Sequence, residues 1–158
     1  PNGPAKQQKF PLDRVQLGPI EAVCEMAAFV ACLIAAGWRP GEALPPGSVL
    51  AAASGAAFLT VVFAQTANAF ACRSTRLPAW RIPLSTNPYL VGAVTGGLAV
   101  AAAFIAIPSV ARLLDHRLPP AIGWVFVALA VPLLLLGDAA WKRLRRRSAA
   151  GQSPWRTR

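Results

Sequence analysis

Two side-chain amides interrupt one long apolar stretch of this sequence, FLTVVFAQTANAFACRS, which runs from Phe58 to Ser74. Gln65 and Asn68 are three residues apart and Cys72 follows four residues later, so a helix would carry all three on one face. Amide oxygens coordinate hard cations, and amides also form hydrogen bonds between membrane helices. The residues alone favour hydrogen bonding between helices over ion binding.

Two carboxylates lie in another apolar stretch, where Glu21 and Glu25 are four residues apart and share a helical face. An ionisable residue at membrane depth is a functional candidate, because its insertion costs a few kcal/mol. Glu21 is within one turn of the end of the stretch, so an interfacial carboxylate is the simpler interpretation. Glu25 is about two turns in, roughly 10 Å, and both a structural and a functional role remain open for it.

The residue pattern does not indicate a cysteine metal site, a nucleotide site or a nucleic-acid interface. The three cysteines (Cys24, Cys32 and Cys72) have no CxxC spacing and no histidine cluster, which predicts buried thiols rather than a metal site. The sequence has no P-loop and no dinucleotide fingerprint. The net charge of +10 does not indicate nucleic acid as a partner, because the basic residues cluster outside the apolar stretches.

Four apolar stretches supply the elements that must position these side chains. Charged residues make up 14% of the chain, against about 25% in a soluble domain, and the mean hydropathy is +0.47. A membrane span needs about 20 apolar residues. We predict spans at 18–38, 49–71, 89–107 and 120–141, between a cytoplasmic segment 1–17 and a basic tail 142–158. The predicted fold is all-α, a polytopic membrane protein whose four antiparallel transmembrane helices form a bundle.

Smaller features refine the predicted spans. Pro132 leaves the Ala128 carbonyl without its helical donor and predicts a kink in the fourth span. Gly92 and Gly96 form a GxxxG pattern, which suits close contact with another helix. Asp138 lies four residues before Lys142, which predicts an ion pair at the end of the fourth span.

Basic residues predict the orientation of the spans. Thirteen of the 16 Lys and Arg residues lie in the N-terminal segment, the middle loop and the tail, whereas the other two loops hold three (Arg39, Arg112 and Arg117). Because Lys and Arg are enriched in cytoplasmic loops, we expect an integral membrane protein with both termini in the cytoplasm.

The apolar stretches contain strings that resemble the C-terminal membrane region of P-type cation-transporting ATPases, which holds the last four of ten transmembrane helices. In order, they are similar to parts of the seventh to tenth helices: LGPIEAVCEMAAF, FAQTANAFACRS, STNPYLVGAV and PLLLLGDAAWKRLRRR. The resemblance covers Leu17 to Arg147, and its most specific piece is the Asn-Ala plus Cys-Arg-Ser element. It is greatest for the calcium- and sodium-pump branch, including bacterial members, which implies a bacterial plasma membrane.

The resemblance implies roles for these helices. In the family, helices seven to ten buttress the ion-binding helices, and the eighth lends one or two oxygen ligands. Gln65 falls where calcium pumps have a glutamate, and Asn68 falls where sodium-pump relatives have an aspartate. Gln65 and Asn68 are therefore a candidate partial cation site, although neutral amides argue against tight divalent binding. The remaining ligands come from the fourth, fifth and sixth helices, which this sequence lacks.

The same resemblance limits what the chain can do alone. The sequence has no DKTGT, TGE or TGDGxND string, so we expect no enzyme activity from this chain by itself. We expect no cofactor in this chain, and ATP and Mg²⁺ would belong to the missing core. The expected partners are the lipid bilayer, the remaining pump helices and cytoplasmic domains, and the transported cation. Because the first residue is Pro1 rather than Met, we expect a fragment, a separately encoded piece or a degenerate remnant of a pump.

Two other hypotheses belong to different classes of protein. A stand-alone or degenerate four-helix membrane subunit would pair with a separate pump core. A small multidrug-type, proton-coupled exporter would exchange protons at Glu25, and its transport would vanish on Glu25→Gln. The N-terminal segment and the long basic tail fit an exporter of that type poorly.

Overall fold

The computed structural model describes residues 17–151. The predicted N-terminal segment, with Lys6, Lys9 and Arg14, and the last part of the predicted tail, with Arg156 and Arg158, lie outside these described residues.

The described chain is built from α-helices. In chain order they are α1 (Leu17–Ala35), α2 (Ser48–Ala71), α3 (Pro88–Ala106), α4 (Pro108–Leu113) and α5 (Ala121–Gly151). Two short 3₁₀ turns, Ala79–Arg81 and Leu84–Thr86, lie between α2 and α3. Helices α1, α2, α3 and α5 are each long and apolar enough to cross a membrane. The predicted all-α fold with four transmembrane helices in a bundle is therefore confirmed.

Turn-forming residues set the helix ends. Between α1 and α2, Gly37 and Gly47 have positive φ angles of 96° and 70°, which side chains other than glycine rarely adopt. At the start of α3, the Asn87 side chain accepts a hydrogen bond from the Leu90 amide, and Pro88 occupies the first helical position. Both residues are typical of a helix start, because they satisfy or remove amide groups that lack a helical partner.

The core lies between α1, α2 and α5. Leu17 of α1 and Leu134 of α5 pack at one end of the bundle, and Cys32 and Leu33 of α1 pack at the other. Between them runs a buried stripe of α2 in which no side chain is larger than threonine: Ala53, Ala56, Thr60, Ala64, Ala67 and Ala71. Small residues allow the backbones of neighbouring helices to approach closely, so α2 lies at the centre of the bundle.

Helix α3 attaches to this core near its C-terminal end, where Ala101 and Ile105 are buried and the Phe104 ring lies 6.3 Å from that of Phe58. A Cβ at Gly92 or Gly96 would meet no atom within 4 Å. The close contact predicted from the GxxxG pattern is therefore not made within the described chain, because the apolar side chains at the other end of α3 supply its packing.

Helix α5 continues beyond the predicted span end at residue 141 and reaches Gly151. Pro132 lies inside this helix, which is assigned as one continuous element on both sides of it. The kink predicted from Pro132 stays a prediction.

Candidate functional site

Gln65 and Asn68 of α2, together with Cys72 directly after its last residue, lie on the outward face of this helix. Gln65 and Cys72 are exposed and Asn68 is half-buried, whereas the neighbouring Ala64 and Ala67 are only 1% and 2% exposed. The Cys72 thiol donates a hydrogen bond to Oδ1 of Asn68 at 3.3 Å. The structure therefore brings these three residues onto one side of the helix, directed away from the alanine stripe.

The amides do not link helices within the described chain. No hydrogen bond joins the side chain of Gln65 to another described residue, and the bond of Asn68 to Cys72 stays on the same helix. Neither amide bonds to a neighbouring helix among residues 17–151, so the interpretation that they form hydrogen bonds between helices stays a prediction. An unbonded amide in hydrocarbon is unfavourable by about 1–3 kcal/mol, so this face has a polar requirement that the bundle itself does not meet.

Lys142 of α5 fixes the end of the helix that carries these amides. Its Nζ atom donates to the carbonyl oxygen of Ala71 at 2.9 Å and to Oδ2 of Asp138 at 2.5 Å. The side chains of Lys142 and Asp138 are both buried. The last carbonyl groups of a helix lack intrahelical partners and carry the negative end of its dipole. The Lys142 ammonium group therefore supplies a hydrogen-bond donor and a positive charge to the end of α2, in addition to its pair with Asp138. The predicted Asp138–Lys142 pair is confirmed, and the bond to Ala71 is an addition to it.

Arg73 organises the loop that follows α2. Its guanidinium donates to the carbonyl oxygens of Ile82 at 3.4 Å and Pro83 at 2.5 Å, and to the Thr86 hydroxyl. The same group lies 5.9 Å from the centre of the Phe70 ring. Arg73 thus connects the last turn of α2 to the chain that enters α3.

The two glutamates of α1 occupy different environments. Glu21 is only 8% exposed, and its Oε1 atom has no hydrogen-bond partner among the described residues. The expectation that Glu21 lies at a membrane interface stays a prediction, and the structure adds that its side chain is packed against protein. Glu25 is half-buried and lines an open groove of about 460 Å³ between α1 and α2.

That groove lies on the face of α2 that carries the amides. Its α2 wall includes Phe58 and Val61, and Val61 precedes Gln65 by one helical turn on the same face. Glu25 therefore lies on the same outward side of the bundle as Gln65 and Asn68, whereas Glu21 lies in the packed interior.

The outward face offers only part of an ion site. The described residues contain no group of three or more His, Cys, Asp or Glu side chains that could hold a metal ion. Two amides supply two neutral oxygen donors, whereas a calcium ion takes six to eight oxygen ligands, according to its usual coordination. Any complete cation site that includes Gln65 and Asn68 must therefore take further ligands from elsewhere.

The cysteines differ in exposure. Cys32 is 3% exposed, Cys24 is half-buried and Cys72 is exposed at the end of α2. The prediction of buried thiols is right for Cys32 and wrong for Cys72, because the face of α2 that carries Cys72 has no helix packed over it among residues 17–151.

Sequence reasoning missed the long-range contacts of the bundle. A Cβ at Gly55 would lie 1.9 Å from the carbonyl oxygen of Arg117, and the Arg117 amide donates to the carbonyl of Ala51 at 3.0 Å. A glycine inside an apolar helix is the only sequence signal of this contact, and Gly92 gives the same signal without the contact.

The fold and the polar outward face together define a polytopic helical membrane domain whose second span presents uncharged oxygen donors. A family model described as cation transporting ATPase, C-terminus, matches residues 8–144. The chain belongs to this family, the C-terminal membrane region of cation-transporting P-type ATPases. Searches of curated proteins and of solved structures returned no match. The match gives no support to the hypothesis of a small multidrug-type exporter.

Proposed function

We propose that this chain buttresses the ion-binding helices of a cation-transporting P-type ATPase and lends oxygen ligands to the transported cation from Gln65 and Asn68 of α2. The observation that carries this proposal is the outward position of the two amides, with the Gln65 side chain unbonded within the described chain. Both termini lie in the cytoplasm in this proposal, and ATP and Mg²⁺ bind the rest of the pump.

The buttressing role is supported by the way α2 is held. Its inner face is packed against α1 and α5 through the alanine stripe, and its end is fixed by the bond from Lys142 to Ala71. A ligand-bearing helix acts best when its supporting contacts leave little freedom of position. The three-helix core of α1, α2 and α5 provides such support on the side away from the amides.

The ligand role is supported by the chemistry of the outward face. An exposed amide inside a membrane requires a polar partner, and other helices of a pump, with their bound cation, would supply one. Glu25, in the groove on the same side, adds a carboxylate that could meet the same neighbours. Because the amides carry no charge, most of the attraction for the cation comes from carboxylates on the other helices.

The proposal is tested in the ATPase that contains this domain. We expect Gln65→Leu and Asn68→Leu each to raise the cation concentration for half-maximal formation of the acid-stable phosphoenzyme by about tenfold, which corresponds to about 1.4 kcal/mol. The assay should be repeated with Ca²⁺, Na⁺, K⁺ and Mn²⁺, since the transported cation is the one whose dependence shifts.

The matched control is Thr66→Val. Thr66 lies between the two amides in sequence, but its hydroxyl donates to the Val62 carbonyl at 2.9 Å within the helix. We expect this variant to keep the wild-type cation dependence. An unchanged dependence in both amide variants, at normal levels of phosphoenzyme, would contradict the ligand role.

A further inference from the structure

A second cavity, of about 770 Å³, lies at the end of the bundle remote from the amides. It is open on one side and is lined by the end of α1, the start of α2 and the chain that connects α3 to α5. The proposed transport role makes no use of this cavity.

The lining of this cavity is amphipathic. One part is apolar and includes Val49, Ala52 and Ile105. The other part carries Arg112 and Arg117, whose side chains are exposed. A cavity with an apolar wall and two cationic groups suits a ligand that has an apolar portion joined to an anion.

The basic side of the cavity is held in a fixed position. The Arg117 amide donates to the Ala51 carbonyl at 3.0 Å, and its own carbonyl oxygen lies against Gly55, where a Cβ would be only 1.9 Å away. The His116 ring meets the Phe58 ring edge-on, with centroids 5.2 Å apart. Residues 116–117 are therefore packed against α2 through backbone and ring contacts.

The two arginines lack a counter-charge within the described residues. Arg112 donates from Nε to the Pro108 carbonyl of its own helix at 3.1 Å. The ion pair between Asp138 and Lys142 lies at the opposite end of the bundle. Asp115, the acid closest to these arginines in sequence, is exposed and does not line the cavity. Two cations that line one cavity, with no acidic partner among the described residues, attract an anion, most strongly where the surroundings are partly apolar.

The position of the cavity identifies the kind of anion. The end of α1 and the start of α2 mark the boundary between hydrocarbon and headgroups, because these helices have the length of a membrane span. We propose that the cavity binds the phosphate headgroup of an anionic phospholipid, with Arg112 and Arg117 on the phosphate and the start of an acyl chain along Val49, Ala52 and Ile105. A free phosphate ion would leave the apolar wall and most of the volume unfilled.

The experiment compares lipid retention by the 158-residue chain and its variants. Chain purified in detergent is mixed with equal amounts of phosphatidylglycerol and phosphatidylcholine, and the retained lipids are counted by native mass spectrometry. We expect wild-type chain to retain phosphatidylglycerol at least fivefold more often than phosphatidylcholine. Arg112→Gln and Arg117→Gln should each reduce this preference severalfold, and the double variant should reduce it most.

Arg39→Gln is the matched control, because Arg39 lies in the α1–α2 loop at the same end of the bundle but does not line the cavity. The Arg39→Gln variant should keep the wild-type preference for phosphatidylglycerol. The basic tail is intact in every variant, so any anionic lipid that the tail retains is the same in all of them. Arg112→Lys and Arg117→Lys retain the charge and should retain the lipid, which separates loss of binding from loss of folding. An equal loss in the lysine variants, or a wild-type preference in the double glutamine variant, would overturn the proposal.

A competition arm separates a lipid from a soluble phosphate ester. Glycerol 3-phosphate carries the same phosphate but no acyl chain, so we expect it not to displace phosphatidylglycerol at millimolar concentration. Displacement by glycerol 3-phosphate would identify the ligand as a soluble phosphate ester and would overturn the assignment to a lipid.

Discussion

The ammonium group of Lys142 lies 2.9 Å from the carbonyl oxygen of Ala71, a residue 71 positions earlier in the chain. Through this bond, and through its pair with Asp138, α5 holds the last turn of the helix that carries Gln65 and Asn68. The position of the amide face thus depends on a contact between two helices that are distant in sequence.

Replacement of Lys142 by methionine should destabilise the bundle. The variant leaves the Asp138 carboxylate buried without its partner, and loss of one member of a buried pair costs about 3 kcal/mol. The measurement is the free energy of unfolding in mixed micelles with increasing fractions of denaturing detergent. Asp138→Asn combined with Lys142→Met should cost less than the sum of the two single changes, because the two residues interact directly.

Arg143→Met is the control for this prediction, since Arg143 is adjacent and exposed. Its effect should stay within about 0.5 kcal/mol. Equal losses from Lys142→Met and Arg143→Met would contradict a specific contribution from the buried contacts of Lys142 to Asp138 and Ala71.

Gly55→Ala and Gly92→Ala should have opposite outcomes, although each adds one methyl group to a membrane helix. At Gly55 the new Cβ would lie 1.9 Å from the Arg117 carbonyl oxygen, which is backbone and cannot rotate away. Such overpacking costs about 1–3 kcal/mol. At Gly92 nothing lies within 4 Å, so the change should be neutral or slightly favourable. Thermal unfolding in detergent distinguishes the two variants. A Gly55→Ala variant as stable as Gly92→Ala would contradict the close contact between the Arg117 backbone and α2.

The exposed thiol of Cys72 should react before the other two cysteines. Cys32 is 3% exposed and Cys24 is half-buried, so a maleimide should label Cys72 first. In sealed vesicles a membrane-impermeant maleimide should reach Cys72 only from the cytoplasmic side, which tests the proposed orientation. Cys72→Ser removes the signal and serves as the control. Labelling of Cys72 from the opposite side would reverse the orientation.

Glu21→Leu should stabilise the isolated chain. The Glu21 carboxyl is buried with Oε1 unpartnered among residues 17–151, and a buried unsatisfied polar group costs about 1–3 kcal/mol. Glu25→Leu is the comparison, because Glu25 lines an open groove and its loss should change the free energy of unfolding less. A Glu21→Leu variant that is clearly less stable than the wild type would mean that the carboxyl is bonded after all.

Local pattern predicted the helices because length and hydropathy are properties of each stretch by itself. The Asp138–Lys142 pair was predictable for the same reason, since a four-residue spacing fixes the geometry within one helix. The bond from Lys142 to Ala71 was not predictable from the sequence, because it depends on how α5 packs against α2.

The same limit applies to the residues of the candidate site. Glu21 was expected at an interface from its place in the chain, but its burial depends on the packing of α1 against the other helices. The amides were expected to link spans, but their face points away from the core, because the small residues that admit neighbouring helices lie on the other side of α2. Gly55 and Gly92 each lie within an apolar helix, and only the fold shows that Gly55 is in close contact with another segment whereas Gly92 is not.

The most direct test of the proposed function is cation binding to the 158-residue chain on its own, measured by calorimetric titration with Ca²⁺ and with Mn²⁺. Two neutral amides without further ligands should give no measurable binding at millimolar concentration, whereas the assembled ATPase should bind its cation in a manner that Gln65→Leu weakens. Tight, stoichiometric binding to the isolated chain that is abolished by Gln65→Leu would contradict the account, because the site would then be complete without the rest of the pump.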